Sequence, residues 1–223
     1  MPRPISAVIN LAALRHNLGV VRRHAPRARA LAVIKANAYG HGVQRAARAL
    51  GEADGFALLE LDAAVGLREA GYSKRIVLLE GFFDGKELPL LARHKLAAVV
   101  HCMEQVDALR ALPPGSGLDV LLKLNTGMNR LGFTADGFAA ALAALRGCAG
   151  VRGITLMTHF ANADDARGVA WQLEAFERVA GAVEAERCLA NSAAILRSPE
   201  THFDWVRPGI LLYGCSPFAE VSA

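Results

Sequence analysis

Lys35 follows the apolar run Ala30–Ile34 and opens the stretch Lys35-Ala36-Asn37-Ala38-Tyr39-Gly40-His41-Gly42. Packing gives a poor reason for a lysine immediately after a buried strand. Burial disfavours its charged form and leaves a nucleophilic amine, suited to condensing with a carbonyl. A lysine snorkelling at the rim of a sheet is the competing reading. Lys123 lies within Val120-Leu121-Leu122-Lys123-Leu124, and Arg130 follows in the next loop. Two cations in one strand–loop unit suggest a bound anion or a modified lysine; two solvated loop cations are the alternative. His159 follows the run Ile154–Met157. Alone at a strand end, it reads as a hydrogen-bonded rim histidine. Asn191-Ser192 stand before a helical run. Asn is a good N-cap there, and a helix N-terminus also attracts phosphate. In Arg207-Pro208-Gly209-Ile210 the proline biases Arg207 to an extended backbone. Gly209 permits close approach, and the amides of Gly209 and Ile210 suit a phosphate.

These residues need a frame that brings strand ends together. Short apolar runs recur at 30–34, 56–59, 76–79, 97–100, 120–124 and 154–157, with a weaker one at 187–190 and a last one within 206–213. Continuous apolar runs without alternation imply strands buried on both faces, as in a parallel sheet. Helical stripes separate them: Val43, Ala46, Ala47 and Leu50; Leu173, Phe176, Val179, Ala180 and Val183; and Ala13, Leu14, Leu18 and Val21. Gly71, Gly115 and Gly117 punctuate returns from helix to strand. Eight strands alternating with helices predict a (β/α)8 barrel, a TIM-type α/β fold, over a single domain 1–223. An open doubly wound sheet is the alternative. Barrels of this kind carry reactive groups at the C-terminal ends of their strands, where the residues named above stand. Glu80 and His101 also end strands, without an assigned role. Glu60 and Asp62 read as the acidic start of a helix. Ile5–Asn10 reads as a strand outside the barrel, spanning about residues 4–10.

Composition narrows the class. Hydrophobic residues make up 53% and charged residues 21%, enough for a large core. The net charge of +4 is spread out. Its densest run, Arg22, Arg23, Arg27 and Arg29, has no interleaved aromatics, so no nucleic-acid partner is expected. Four scattered cysteines show no metal spacing and fit reduced thiols. The N-terminal residues show no secretory pattern and no run is long enough for a membrane span, so a cytoplasmic location is expected.

Four blocks carry a family resemblance. Ala32–Gly42, AVIKANAYGHG, closely resembles the cofactor-lysine signature of alanine racemases. Lys123–Gly132 is similar to the family's K-x-D/N-T-G-M-x-R-x-G pattern, and Val206–Gly214 to its V-R-x-G-I-x-x-Y-G pattern. The fourth block holds His159 and Asn191-Ser192, in the same order as in the family. The resemblance implies that Lys35 carries pyridoxal 5'-phosphate as a Schiff base and acts as acid and base on the D-alanine face. It places Tyr39, Asn191, Ser192, Gly209 and Ile210 around the phosphate. It gives Arg130 the cofactor's phenolic oxygen and the substrate carboxylate, with Lys123 carbamylated to orient that arginine. It sets His159 under the pyridine ring in contact with Arg207. Arg207 hydrogen-bonds the ring nitrogen. Arginine does not surrender its proton, so the ring stays a weaker electron sink and racemisation is favoured over transamination. The implied reaction interconverts L- and D-alanine, for peptidoglycan precursors or alanine catabolism, in a homodimer. Alanine racemases continue into a C-terminal β-domain that supplies the second base from the partner subunit. The expectation is therefore a truncated chain that binds cofactor and racemises poorly alone, its N-terminal strand meant for that domain. A single-domain protein of pyridoxal-phosphate homeostasis, or a cofactor-free binding barrel, are the alternatives.

Overall fold

A computed structural model describes residues 5–221. Eight parallel strands follow one another round a closed barrel: β1 (Arg29–Val33), β2 (Gly55–Leu58), β3 (Arg75–Leu78), β4 (Ala97–Val100), β5 (Leu118–Lys123), β6 (Val151–Met157), β7 (Glu186–Cys188) and β8 (Trp205–Val206). Closure comes from Arg29 pairing with Trp205 and Ala30 with Val206, which rules out the open sheet. The helical elements are α1 (Leu11–His24), α2 (Lys35–Tyr39), α3 (Val43–Ala49), α4 (Leu61–Glu69), α5 (Leu88–Arg93), α6 (Met103–Leu109), α7 (Ala135–Arg146), α8 (Ala170–Ala180) and α9 (Ser192–Arg197).

The apolar runs behave as double-faced strands. Leu31, Val33, Ala57, Val77, Val99, Leu121, Met157 and Cys188 fill the barrel interior. Their neighbours Ala30, Ala32, Ile34, Phe56 and Leu58 point outward, onto the helices. Each such Leu or Val stabilises the fold by about 1.5–3 kcal/mol relative to exposure. Leu31 has no exposed surface; Leu31→Ala would leave a hole at the barrel centre and cost about 2–5 kcal/mol. The Ala-rich faces of α3 and α7 lie close against the sheet because Ala46, Ala47 and Ala141 are fully buried. At the N-terminal end of the barrel the guanidinium groups of Arg29 and Arg75 lie over the Trp205 ring at 4.1 and 5.0 Å. The Trp205 Nε1–H donates to Glu186 at 2.9 Å, and Arg75 to Thr155 Oγ1 at 3.0 Å.

Two stretches depart from the sequence reading. The last strand ends at Val206, and Ile210–Tyr213 winds as a 3-10 helix. Pro208 has no amide for the ladder, and its carbonyl accepts from Val33 N at 2.9 Å. At Gly209 the backbone (φ −117°, ψ −99°) leaves the strand direction. Of the expected N-terminal strand, residue 4 lies outside the described residues, and 5–10 form none. The partner expected for that strand was a C-terminal β-domain, not the closed barrel, which has no sheet edge; Ile5 and Val8 stand exposed. Asn10 instead caps α1, its Oδ1 accepting from the amides of Ala12 and Ala13 at 3.0 and 3.1 Å. Among the described residues, no helix is long and apolar enough to cross a membrane.

Candidate active site at the barrel mouth

At the C-terminal ends of the strands lies a cavity of about 510 Å³, within the range of small-molecule sites. Lys35, Tyr39, Lys123, Arg130, His159, Asn191, Ser192, Arg207, Gly209 and Ile210 all line it. Glu80 and Asp164 add carboxylates, so four cations face two acids. The surplus suits an anion. Among the described residues, no group of three or more His, Cys, Asp or Glu side chains is placed to hold a metal ion.

Lys35 starts α2, which winds the wrong way. Ala36, Asn37, Ala38 and Tyr39 all have φ between 51° and 55°, a single left-handed turn. Each such residue costs roughly 1–2 kcal/mol against its right-handed form, and none is glycine. Tertiary contacts therefore hold the turn. Ala38 is fully buried. Asn37 Oδ1 accepts from Val43 N at 2.9 Å, and Glu60 Oε1 from Ala36 N at 3.2 Å. Gly40 (φ 84°) and Gly42 (φ 89°) then lead the chain into α3. The sequence reading assigned the tight turn to these glycines alone; the signal it missed was a run free of β-branched residues, with an Asn, which tolerates this region.

Tyr39 projects from the turn beside Tyr213, with ring centroids 4.7 Å apart. Burial pushes the Tyr39 phenol up from its ordinary pKa. Tyr213 donates its hydroxyl to Val33 O at 3.0 Å, and burial drives its pKa far higher. Opposite, Ser192 begins α9, with Asn191 as its N-cap: Asn191 Oδ1 accepts from Ala194 N at 3.1 Å and its Nδ2 donates to Phe160 O at 3.2 Å. Ser192 Oγ accepts from Gly209 N at 2.9 Å and Leu211 N at 3.3 Å. The Gly209 amide is thus engaged, while Ile210 N opens the 3-10 helix without an acceptor among the described residues.

The cavity floor is cationic. Arg207, 4% exposed, is held by carbonyls: its Nη1 donates to Cys188 O, and its Nη2 to Thr158 O at 2.7 Å and Leu189 O at 3.0 Å. Lys123, also 4% exposed, has its pKa pushed down to about 8 by burial, then by the charges of Arg207 and Arg130, against a smaller opposing pull from Glu80. Burial holds His159 well below its ordinary pKa, and Arg207, Lys123, Arg130 and Lys35 add to this, so its imidazole is neutral. No hydrogen bond joins His159 to Arg207 among the described residues; the charge of Arg207 disfavours protonation of the ring.

Arg130 stands exposed on the loop after β5. Asn125 shapes this loop, its Oδ1 accepting from the amides of Gly127 and Asn129 at 3.0 and 3.1 Å. Gly127 (φ 119°) has no room for a side chain, since a Cβ would come within 2.4 Å of the Trp171 ring. Beneath the loop lies a buried network that sequence reasoning missed. Gln172 Nε2 donates to Thr126 Oγ1 at 2.9 Å and to His159 O at 3.1 Å, while its Oε1 accepts from Ala161 N at 2.6 Å. Thr126 and Thr158 share a 2.8 Å hydroxyl contact. A glutamine on the buried face of α8 was the available signal. Glu80 is fixed through its carbonyl, which takes hydrogen bonds from Gln105 Nε2 and His101 Nε2, both at 3.1 Å.

Residues 9–217 match the family model described as "Alanine racemase, N-terminal domain". The alanine racemase of Nitrosospira multiformis is 60% identical, covering 100% of this chain and 63% of its own length. That of Nitrosomonas europaea is 55% identical, covering 99% and 62%. The crystal structure of biosynthetic alanine racemase from Pseudomonas aeruginosa superposes with a TM-score of 0.90 at 44% identity, covering 95% of this chain and 60% of that one. The chain thus spans about three fifths of the length of the relatives it matches. Matched by this family model over residues 9–217, the chain belongs to the alanine racemase N-terminal domain family.

Proposed function

We propose that this barrel binds pyridoxal 5'-phosphate on Lys35 and forms the lysine face of a racemase interconverting L- and D-alanine. The observation that carries the reading is that ten residues singled out in the sequence line one cavity. The donors fit the cofactor. Ser192 and the Ile210 amide stand at one end with Tyr39, matching a phosphate. Arg207 and a neutral His159 lie on the floor, matching a ring that stays unprotonated. Bound there, the cofactor would act as electron sink for the carbanion left when an amino acid loses its α-proton.

The chain's own groups do the rest. Lys35 Nζ would hold the cofactor and, once substrate has displaced it, would take and return the α-proton on the D-alanine face. Arg207, held by the Thr158 and Leu189 carbonyls, would face the ring nitrogen as a donor that keeps its own proton. Arg130, which lines the same cavity, would take the substrate carboxylate and the cofactor's phenolic oxygen. Lys123 has a neutral fraction near pH 7 because its pKa lies near 8. Its free Nζ adds to the carbon of CO₂ and sheds one proton, and the resulting anion orients Arg130. A homodimer in the cytoplasm completes the proposal; all four cysteines are unpaired, as reducing conditions require.

The test is covalent trapping. The purified chain is mixed with pyridoxal 5'-phosphate, reduced with borohydride and digested. A mass label on the Lys35 peptide, absent in Lys35→Ala, is expected. A label on another lysine, or none, overturns the proposal.

A further inference from the structure

Two structural facts meet at the residue after Lys35. The first is the left-handed turn, which is strained at four consecutive non-glycine positions. The second is the carboxylate of Glu60, at the junction of β2 and α4. Its Oε1 accepts from Ala36 N at 3.2 Å, and its Oε2 from Leu59 N at 3.3 Å. Glu60 sits at the N-cap of α4, yet its side chain makes no capping hydrogen bond. It reaches across to the neighbouring strand end instead. Position and dipole would suit an acid there in any case; the hydrogen bond to Ala36 is not explained by helix capping.

We infer that Glu60 is a positioning residue for Lys35: its carboxylate bridges the end of β2 to the first amide of the left-handed turn and so fixes the direction in which the lysine leaves β1. The inference rests on the proposed role of Lys35. The physical argument is short. The Ala36 amide belongs to the peptide plane that leaves Lys35, so holding it restrains the backbone from which the Lys35 side chain springs. The middle of the turn is tied by Asn37 to Val43 N and by the buried Ala38. Its near end, beside the reactive amine, is tied by Glu60. A carboxylate is suited to this because a charge-assisted bond to an amide is stronger than a neutral one. Glu60 is exposed, so solvent weakens the bond, and its effect falls on geometry more than on overall stability.

The reaction that reads this geometry is cofactor capture: Lys35 Nζ attacks the aldehyde carbon of pyridoxal 5'-phosphate, its protons pass to the carbonyl oxygen, and one water leaves as C=N forms. Capture is followed by stopped-flow absorbance and by borohydride trapping, in the unchanged chain and in Glu60→Ala, Glu60→Gln and Asp62→Asn. Amide exchange over 35–39 is measured without cofactor. Glu60→Ala is expected to slow capture roughly three- to tenfold and to speed exchange at Ala36, with unfolding unchanged. Glu60→Gln keeps an acceptor oxygen and recovers most of the rate. Asp62→Asn, which removes a charge from the first turn of the same helix, leaves capture unchanged. Equal capture and equal exchange in Glu60→Ala overturn the positioning role while leaving the role of Lys35 intact. Slowing in Asp62→Asn equal to that in Glu60→Ala also overturns it, since helix charge would then be the cause. Failure of the unchanged chain to label at Lys35 overturns the functional reading itself, and this inference with it.

Discussion

The hydroxyl of Tyr39 lies 2.9 Å from the point a Cβ on Gly209 would occupy. The left-handed turn after β1 and the loop after β8 therefore touch where one of them has no side chain. Gly209→Ala is expected to push the phenol outward and leave the fold standing, because the displaced atom is the free end of a side chain. Pyridoxal 5'-phosphate affinity should weaken about tenfold. Fluorescence titration checks this, with circular dichroism as control; unchanged affinity contradicts it.

Lys123 makes stability depend on alkaline pH. Its folded pKa is about 8 against an ordinary 10.5. Between these values the unfolded chain binds more protons than the folded one, so stability rises as pH rises through that window. Below it the full penalty of burying the charge applies, about 3 kcal/mol. Lys123→Met should be more stable near neutral pH and should flatten the rise between pH 8 and 10.5. Urea titrations of both forms, under nitrogen to exclude CO₂, measure the difference. A parallel pH dependence in the two forms would be the contrary result.

His159 gives the opposite side of the pH curve. Its folded pKa is held well below 6.5 by burial and four nearby cations. As pH falls below 6.5 the unfolded chain takes up the proton first, so this group lowers stability on acidification. The ring resonances of His159 should stay fixed across neutral pH in NMR spectra of the labelled chain. A titration midpoint at the ordinary histidine value would show that the cationic floor does not reach it.

Gln172 is fully buried and serves Thr126, His159 and Ala161 at once. Gln172→Leu keeps the volume but strands the partners, and should cost about 2–4 kcal/mol. Denaturant unfolding reads the loss. A cost well under 1 kcal/mol would mean that the network relaxes onto water.

The barrel was legible because its strands are apolar on both faces, and Ala30–Ile34 or Ile76–Leu79 cannot be mistaken for half-buried strands. The site was legible because chemistry-bearing residues end those runs. What could not be read depends on contacts distant in sequence. The left-handed turn 36–39 is held by contacts to Glu60 and Val43 and by the core around Ala38, beyond what the tolerance of Asn37 for this region offers. The desolvation argument, raised first for Lys35, applies to Lys123, whose neighbours Arg207 and Arg130 come from other parts of the chain. The use of the Gly209 amide by Ser192 brings together two loops that only barrel closure makes adjacent.

The packed interior of the barrel also bears on traffic. Leu31, Val33, Val77, Val99 and Leu121 leave at most 6% of any one residue exposed, and Trp205 with its two arginines lies beneath them. Among the described residues, the barrel centre offers no opening to Lys35. A small molecule seated at the mouth and bulk water therefore meet Lys35 from the same end of the barrel, and the packed centre behind it keeps the other end apart.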